Sequence, residues 1–288
     1  MEAFYALILP SAQVKYAAET TVRLLTTILI LAATAGPLAA QKPAQQIDLS
    51  QFPADTIDNV VVPVPSEVFA VLDRLGNPNW RAELGPKSTY PATTDRAQVA
   101  LLLGTVIADG FVAVEAEDSE RVKEIGRNVL TLAEAINVRK SVVARSNSII
   151  EKAGERNWDA VRREFDGALQ DVNKAMIELN DGQLAQLVSL GGWLRGTEAL
   201  TSIVRQKYSR ERAELLYQPL LIDYFGKQLE EMGPRLRRNR LVGDIEQAIG
   251  RIGPLIKNSP DREIAPETVT EVGSITTDLV QRIRAKAG

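Results

Sequence analysis

Residues 94–136, TDRAQVALLLGTVIADGFVAVEAEDSERVKEIGRNVLTLAEAI, decide the fold class. The first half carries two wide apolar faces at helical spacing, and Thr94 or Asp95 can cap its start. We expect this helix to be buried on most sides. The second half repeats apolar residues every three or four positions up to Ile136, after Asp118 and Ser119 as candidate caps. This spacing is typical of an amphipathic helix.

Helical patterns continue on both sides of this stretch. We predict further helices at 66–75, 142–154, 157–179, 181–204, 209–217, 219–232, 236–257 and 266–286. No proline lies between Ala92 and Gln218, whereas seven lie in 43–91. No stretch shows sustained two-residue alternation, and the similarity between Leu103-Gly104 and Leu190-Gly191 does not extend into a repeat. The predicted fold is all-α, a bundle or stacked array of about eight or nine helices with an extended N-terminal arm.

The N-terminus has the pattern of a secretory signal peptide. An apolar run of 12 residues from Leu24 to Ala35 follows Arg23 and precedes small residues up to Ala40. We expect cleavage near Ala40 and export to the periplasm or the medium. The run is shorter than the roughly 20 residues that cross a bilayer, which argues against a permanent membrane anchor. Residues 41–65 are predicted to be an extended arm or linker, and 66–288 a single all-helical domain.

Composition excludes several chemistries. The chain of 288 residues has no histidine and no cysteine, so it has no Ser-His-Asp or Cys-His nucleophile, no Cys/His zinc site and no disulfide. It also lacks a phosphate-binding loop, a Gly-x-Ser-x-Gly elbow and an EF-hand loop. The net charge of −3 argues against a nucleic-acid partner. No cofactor is predicted beyond a divalent cation held by oxygen ligands.

One candidate metal site combines the carboxylates of Asp109, Glu115, Glu117 and Asp118. The pattern Ala-Asp-Gly-x-Val-x-x-Glu, from Ala108 to Glu115, resembles the turn between helices in TerB-like tellurite-resistance domains. That resemblance implies an all-helical domain with acidic candidate ligands for a divalent metal. A shared ion requires a chain break at Gly110, because Asp109 and Glu115 lie about 120° apart on a continuous helix. The alternative is an apolar helix that ends in an acidic cap for the next helix.

A second candidate site lies in residues 189–198, SLGGWLRGTE. Each glycine costs roughly 1 kcal/mol in a helix interior, so three of them near Trp193 and Arg195 need a reason. On one interpretation, Gly192 and Gly196 open a groove where Arg195 receives a carboxylate or phosphate and Trp193 stacks on a ligand. Replacing Trp193 or Arg195 would then weaken binding more than folding. On the other, the glycines allow close helix packing, and Arg195 pairs with Glu198.

A third candidate is an anion-binding site formed by Arg235, Arg237, Arg238 and Arg240. These four arginines could bind anionic lipid headgroups or a phosphorylated polymer. Four carboxylates flank them, at Glu230, Glu231, Asp244 and Glu246. The alternative interpretation is therefore a solvated helix face with internal salt bridges.

These patterns support one main hypothesis for function and two alternatives. The main hypothesis is an exported, non-catalytic helical protein that binds an envelope protein, another envelope component or a small ligand. The first alternative is a carboxylate-dependent hydrolase of an envelope polymer, which needs two facing carboxylates, one with a raised pKa. The second is a TerB-like module that binds a divalent metal. The oligomeric state is left open.

Overall fold

The computed structural model describes residues 65–85, 90 and 93–285. The predicted signal peptide at 1–40 and all but the last residue of the predicted arm at 41–65 lie outside the described residues. Within them the secondary structure is helical and no strand is present, so the all-α prediction is confirmed.

Eight helices of the described residues are long, in agreement with the predicted number. The α-helices are α1 (Pro65–Arg74), α2 (Trp80–Glu83), α3 (Arg96–Glu115), α4 (Ser119–Ala135), α5 (Arg139–Gly154), α6 (Trp158–Glu178), α7 (Gly182–Gln206), α8 (Arg210–Glu214), α9 (Pro219–Glu230), α10 (Pro234–Arg237), α11 (Arg240–Lys257) and α12 (Pro266–Arg284). A short 3-10 helix lies at Pro260–Arg262.

The same short turn joins α3 to α4, α4 to α5, α5 to α6 and α6 to α7. In each turn one residue has a left-handed backbone with φ between 49° and 67°, namely Glu117, Asn137, Arg156 and Asn180. The following amide donates a hydrogen bond to the carbonyl five residues earlier, as Asp118 N does to Ala113 O at 3.0 Å. This arrangement is the Schellman motif. Because the connections are so short, helices that follow each other in sequence pack side by side.

Helix α3 forms the centre of the bundle. It packs most extensively against α7 and also contacts α4 and α12. Its mean hydropathy of 1.9 over 18 residues would suit a membrane span, but 89% of that window is buried inside the protein. Its apolar character therefore reflects its position in the core, and the expectation of burial on most sides is confirmed.

Three local features follow from the structure. Helix α3 continues through Gly110 to Glu115, so the chain break that a shared metal ion requires is absent, and the chain follows the alternative of an apolar helix followed by the acidic cap of the next one. Residues 80–83 form the short helix α2, in which Asn79 Oδ1 accepts a hydrogen bond from Ala82 N. The single helix predicted at 236–257 is divided at Asn239, whose side chain caps the start of α11.

Candidate functional site

An apolar groove lies between α1, α3, α7 and α9, and we call it the α7 groove. It encloses a cavity of about 130 Å³. Residues of α7 and α3 make up most of its lining, and Leu72 of α1 and Leu221 of α9 also contribute. An apolar cavity of about 150 Å³ holds a molecule the size of benzene, so the groove is large enough for a small ligand.

Glycines of α3 and α7 create the groove. A Cβ atom at Gly104 would overlap the carbonyl oxygen of Val188 and lie 2.7 Å from Gly192 N, so the two helices approach too closely there for any side chain. Gly196 differs, because a Cβ atom there would meet no atom within 4 Å. Gly196 is exposed and lines the groove, so the space beside it is open. An apolar groove thus lies beside Gly196, whereas the contact at Gly104 agrees with the other interpretation of the glycines, close helix packing.

Trp193 forms a wall of the α7 groove. Its Nε1 donates a hydrogen bond to Gln218 Oε1 at 2.8 Å, and Gln218 in turn donates to the carbonyl of Leu215. The ring also packs against Phe225 with a centroid distance of 5.6 Å. These contacts fix the orientation of the indole, which leaves its apolar surface facing the cavity.

Two residues with hydroxyl groups also line the α7 groove. Ser189 and Thr197 are 7% and 6% exposed as whole residues, and their oxygens are not among the fully buried, unpartnered atoms of the described chain. Neither side chain makes a hydrogen bond to another residue of the described chain. Most buried hydroxyls in helices bond to a carbonyl one turn earlier, as Thr105 does to Leu102 O at 2.8 Å. Ser189 and Thr197 therefore offer unused hydrogen-bonding capacity inside an apolar site.

The α1 edge of the groove is held by Arg162 of α6. Its guanidinium contacts Asp73 of α1 at 3.0 Å and Glu115 of α3 at 2.5 Å, and it lies over the ring of Phe69. Burial raises the pKa of Glu115 to about 7, although Arg162 opposes this shift. Arg162 thus joins three helices, and Glu115 is the group in this cluster that titrates near neutral pH.

Arg195 does not face the α7 groove, which corrects the prediction that it and Trp193 share a ligand. Its Nε donates to Asp109 Oδ1 at 2.7 Å, its Nη2 donates to the carbonyl of Glu83, and its Nη1 lies 3.4 Å from Glu198 Oε2. Residues two positions apart on an α-helix differ by about 200° around its axis. Trp193 and Arg195 therefore point to different sides of α7. The interpretation of Arg195 as an internally satisfied residue fits this geometry.

Arg195 belongs to a buried ion network on the other side of α7. Asp109 accepts a second charged hydrogen bond from Arg284 Nη2 at 2.6 Å. Burial acts to lower the pKa of Arg195, but Asp109 and Glu198 outweigh it and the pKa is raised. Burial raises the pKa of Glu198 against the opposing charge of Arg195, and burial together with Asp109 raises that of Tyr90 to about 12. The network ties α3, α7 and α12 together.

The four carboxylates of the predicted metal site have separate surroundings. Asp109 contacts Arg195 and Arg284, and Glu115 contacts Arg162. Asp118 accepts a hydrogen bond from Arg121 N as the cap of α4, while Glu117 occupies the preceding turn. Among the described residues, no group of three or more Asp and Glu side chains is arranged to hold a metal ion. The structure does not bring these four together.

The two carboxylates with raised pKa values are each paired with an arginine. Glu115 contacts Arg162, and Glu198 contacts Arg195. Glu198 and Glu83 do line a polar cavity of about 240 Å³. However, Glu83 already accepts hydrogen bonds from Ser202 and Gln206. This cavity therefore does not offer the pair of free, facing carboxylates that a hydrolase needs.

The predicted arginine cluster is exposed at one end of the bundle. Arg235 and Arg237 lie in α10, Arg238 follows it, and Arg240 begins α11. None of them forms an ion pair with another residue of the described ranges. Within the described ranges, therefore, no salt bridge joins these arginines to the flanking carboxylates.

Sequence reasoning missed several residues of the α7 groove. Gly104 and Gln218 carry no motif, and their roles depend on contacts between helices far apart in sequence. One signal was present, since the pairs Leu103-Gly104 and Leu190-Gly191 place a glycine inside each of two apolar helices. Such interruptions are expected where two helices cross closely.

Comparisons with known proteins identify no relative of this chain. No family model matches the chain, and no curated protein or solved structure matches it.

Proposed function

We propose that this protein is a non-catalytic binding protein that holds a small, mainly apolar molecule in the α7 groove. The observation that carries this proposal is that the hydroxyls of Ser189 and Thr197 line an otherwise apolar cavity and have no hydrogen-bond partner among the described residues. A ligand with one neutral hydrogen-bonding group, such as an alcohol, ketone or ester, can bond to these hydroxyls while its apolar part fills the cavity. Export to the cell envelope, as the N-terminal pattern predicts, is part of the same proposal.

The size of the groove sets the expected affinity for a simple probe. Hexan-1-ol carries six carbon atoms and one hydroxyl, and each buried methylene contributes about 0.8 kcal/mol. Complete burial then gives about 5 kcal/mol, which corresponds to a dissociation constant on the order of 0.2 mM. At ten times that concentration, binding stabilises the folded protein by about 1.4 kcal/mol and raises its melting temperature by about 3–6 °C.

Gly196→Leu tests the site directly. Because a side chain at Gly196 meets open space, leucine there fills the groove without a clash. Replacing a helical glycine also removes a cost of about 1 kcal/mol, so the variant should melt higher than the wild type. We expect it to lose binding of hexan-1-ol in isothermal titration calorimetry.

Gly250→Leu is the matched control. Gly250 lies in α11, is exposed, and likewise has open space around the Cβ position. This variant should gain the same stability and keep the affinity of the wild type. If Gly196→Leu binds hexan-1-ol as well as Gly250→Leu does, the α7 groove is not the binding site.

A further inference from the structure

Four arginines at one end of the bundle are exposed and have no charged partner. Arg235, Arg237, Arg238 and Arg240 make no ion pair or hydrogen bond through their side chains with any other residue that the structure describes. Two flanking carboxylates are already engaged elsewhere, since Asp244 pairs with Arg282 at 3.1 Å, and Glu231 lies 3.7 Å from Lys227. The arginine cluster is therefore available to an external anion.

One of the arginines is placed against the local helix field. Arg240 is the first residue of α11. A positive charge at the start of a helix is unfavourable, because the unpaired amides there already make it positive. The position of Arg240 in α11 therefore does not explain its charge.

Three contacts bring the turn between α6 and α7 to the same end of the protein. Asn239, between α10 and α11, donates a hydrogen bond to Asp95 Oδ2 at 2.7 Å. Gly233 N, just before α10, donates to Gln183 Oε1 of α7 at 3.3 Å. Asp181, which precedes α7, pairs at 2.6 Å with Arg96 of α3.

An exposed leucine lies in that turn. Leu179 ends α6 and is 47% exposed, the highest value among the large hydrophobic residues that the structure describes. Only three residues separate it from Gln183, which contacts the segment just before α10. The same end of the bundle thus presents positive charge and an apolar side chain.

We propose that this end of the protein binds peripherally to an anionic lipid surface. The guanidinium group forms paired hydrogen bonds with phosphate oxygens, and Leu179 enters the boundary between headgroups and acyl chains. Each basic residue near such a surface strengthens binding about five-fold, so four arginines favour an anionic over a neutral surface by roughly 10²–10³-fold. Leu179 favours a lipid surface over a soluble polyanion, which offers no apolar phase.

The test is co-sedimentation of the protein with vesicles in 0.1 M salt. We expect binding to vesicles of phosphatidylcholine with about one third phosphatidylglycerol and little binding to pure phosphatidylcholine. A variant with glutamine at positions 235, 237, 238 and 240 should lose at least 100-fold in affinity while melting no lower than the wild type. Leu179→Ser should weaken binding about three- to ten-fold and leave its salt dependence unchanged.

A control variant replaces four other arginines by glutamine, at Arg127, Arg156, Arg163 and Arg251. These are also exposed and without ion pairs to described residues, and they are spread over other surfaces. The control variant removes the same four positive charges, and apart from that general effect it should bind the vesicles as the wild type does. The proposal is overturned if both quadruple variants lose binding equally, or if the protein does not distinguish the two vesicles. If the protein binds soluble polyphosphate through these arginines and Leu179→Ser does not weaken that binding, the ligand is a soluble polyanion and the lipid proposal is overturned.

Discussion

Gly104 of α3 and Gly191 of α7 mark a reciprocal contact between the two central helices. A Cβ atom at Gly104 would overlap the carbonyl of Val188, three residues before Gly191. A Cβ atom at Gly191 would overlap the carbonyl of Leu101, three residues before Gly104. The two glycines therefore occupy equivalent positions around a local twofold crossing, and the backbones touch because neither residue has a side chain. This crossing sets the depth of the α7 groove.

We expect Gly104→Ala and Gly191→Ala to be strongly destabilising. Each added methyl group meets backbone atoms of the facing helix rather than a movable side chain. Forcing the helices apart should lower the free energy of unfolding by about 3 kcal/mol, as measured by urea denaturation. Gly243→Ala is the control, because its Cβ position is open, and it should stabilise the protein by about 0.5–1 kcal/mol. Equal effects at Gly104 and Gly243 would show that the close crossing does not exist in solution.

The buried pair of Asp109 and Arg195 gives a second prediction. Both side chains are 4% exposed, and removing Arg195 leaves the buried Asp109 with Arg284 as its remaining charged partner. Arg195→Met should cost about 3–5 kcal/mol, and the double variant Arg195→Met with Asp109→Leu should cost less than the sum of the single changes. Unfolding by urea measures all three.

An exposed ion pair is the reference for this cycle. Arg210 and Glu263 lie 3.3 Å apart with side chains 60% and 50% exposed. Arg210→Met should cost less than about 1 kcal/mol, because water solvates the remaining carboxylate. A similarly small cost for Arg195→Met would mean that Arg195 is accessible to solvent, and its role as a ligand-binding residue would need to be considered again.

Glu115 makes the stability depend on pH between about 4.5 and 7. Its pKa is raised from 4.5 to about 7, chiefly by burial, while Arg162 lowers it and Asp73 and Glu117 raise it further. The folded state therefore holds this proton more tightly than the unfolded state does. The contribution of Glu115 to stability is fully present below pH 4.5 and is lost as the pH rises through 7, an effect on the order of 1–2 kcal/mol.

Glu115→Gln should remove this part of the pH dependence. We expect a flatter curve of unfolding free energy against pH for the variant, measured by urea titration at half-unit intervals. Glu246→Gln is the control, since this exposed carboxylate on α11 has no contact with Arg162, and it should leave the slope unchanged. A wild-type slope in Glu115→Gln would place the titrating group elsewhere.

The helical architecture could be predicted because its causes are local. Apolar spacing, the capping residues Asp95, Asp118 and Asn157, and the absence of proline from 92–218 all act within a few residues. The chain break at Gly110 that a shared metal ion would require does not form. Glycine lowers helix propensity by about 1 kcal/mol, but Gly110 is buried with Phe165 3.0 Å from its Cβ position, and the packing of α3 outweighs that cost.

The candidate site could be predicted only in part. The glycines around Trp193 left two interpretations open, a groove or close helix packing. The structure has both features, because Gly191 approaches the backbone of α3 while Gly192 and Gly196 line the α7 groove. The partner of Arg195 could not be inferred, since Asp109 lies 86 residues away and was assigned to a metal site. The unpartnered hydroxyls of Ser189 and Thr197 have no sequence signal either, because a hydroxyl's partners depend on the packed structure.

Fluorescence quenching by 6-bromohexan-1-ol tests the central claim most directly. Bromine quenches tryptophan only at close range, and of the three tryptophans only Trp193 lines the α7 groove. The account predicts saturable quenching in the wild type that is lost in Trp193→Phe and in Gly196→Leu but kept in Gly250→Leu. Saturable quenching that persists in Trp193→Phe would come from Trp80 or Trp158 and would contradict the α7 groove as the binding site.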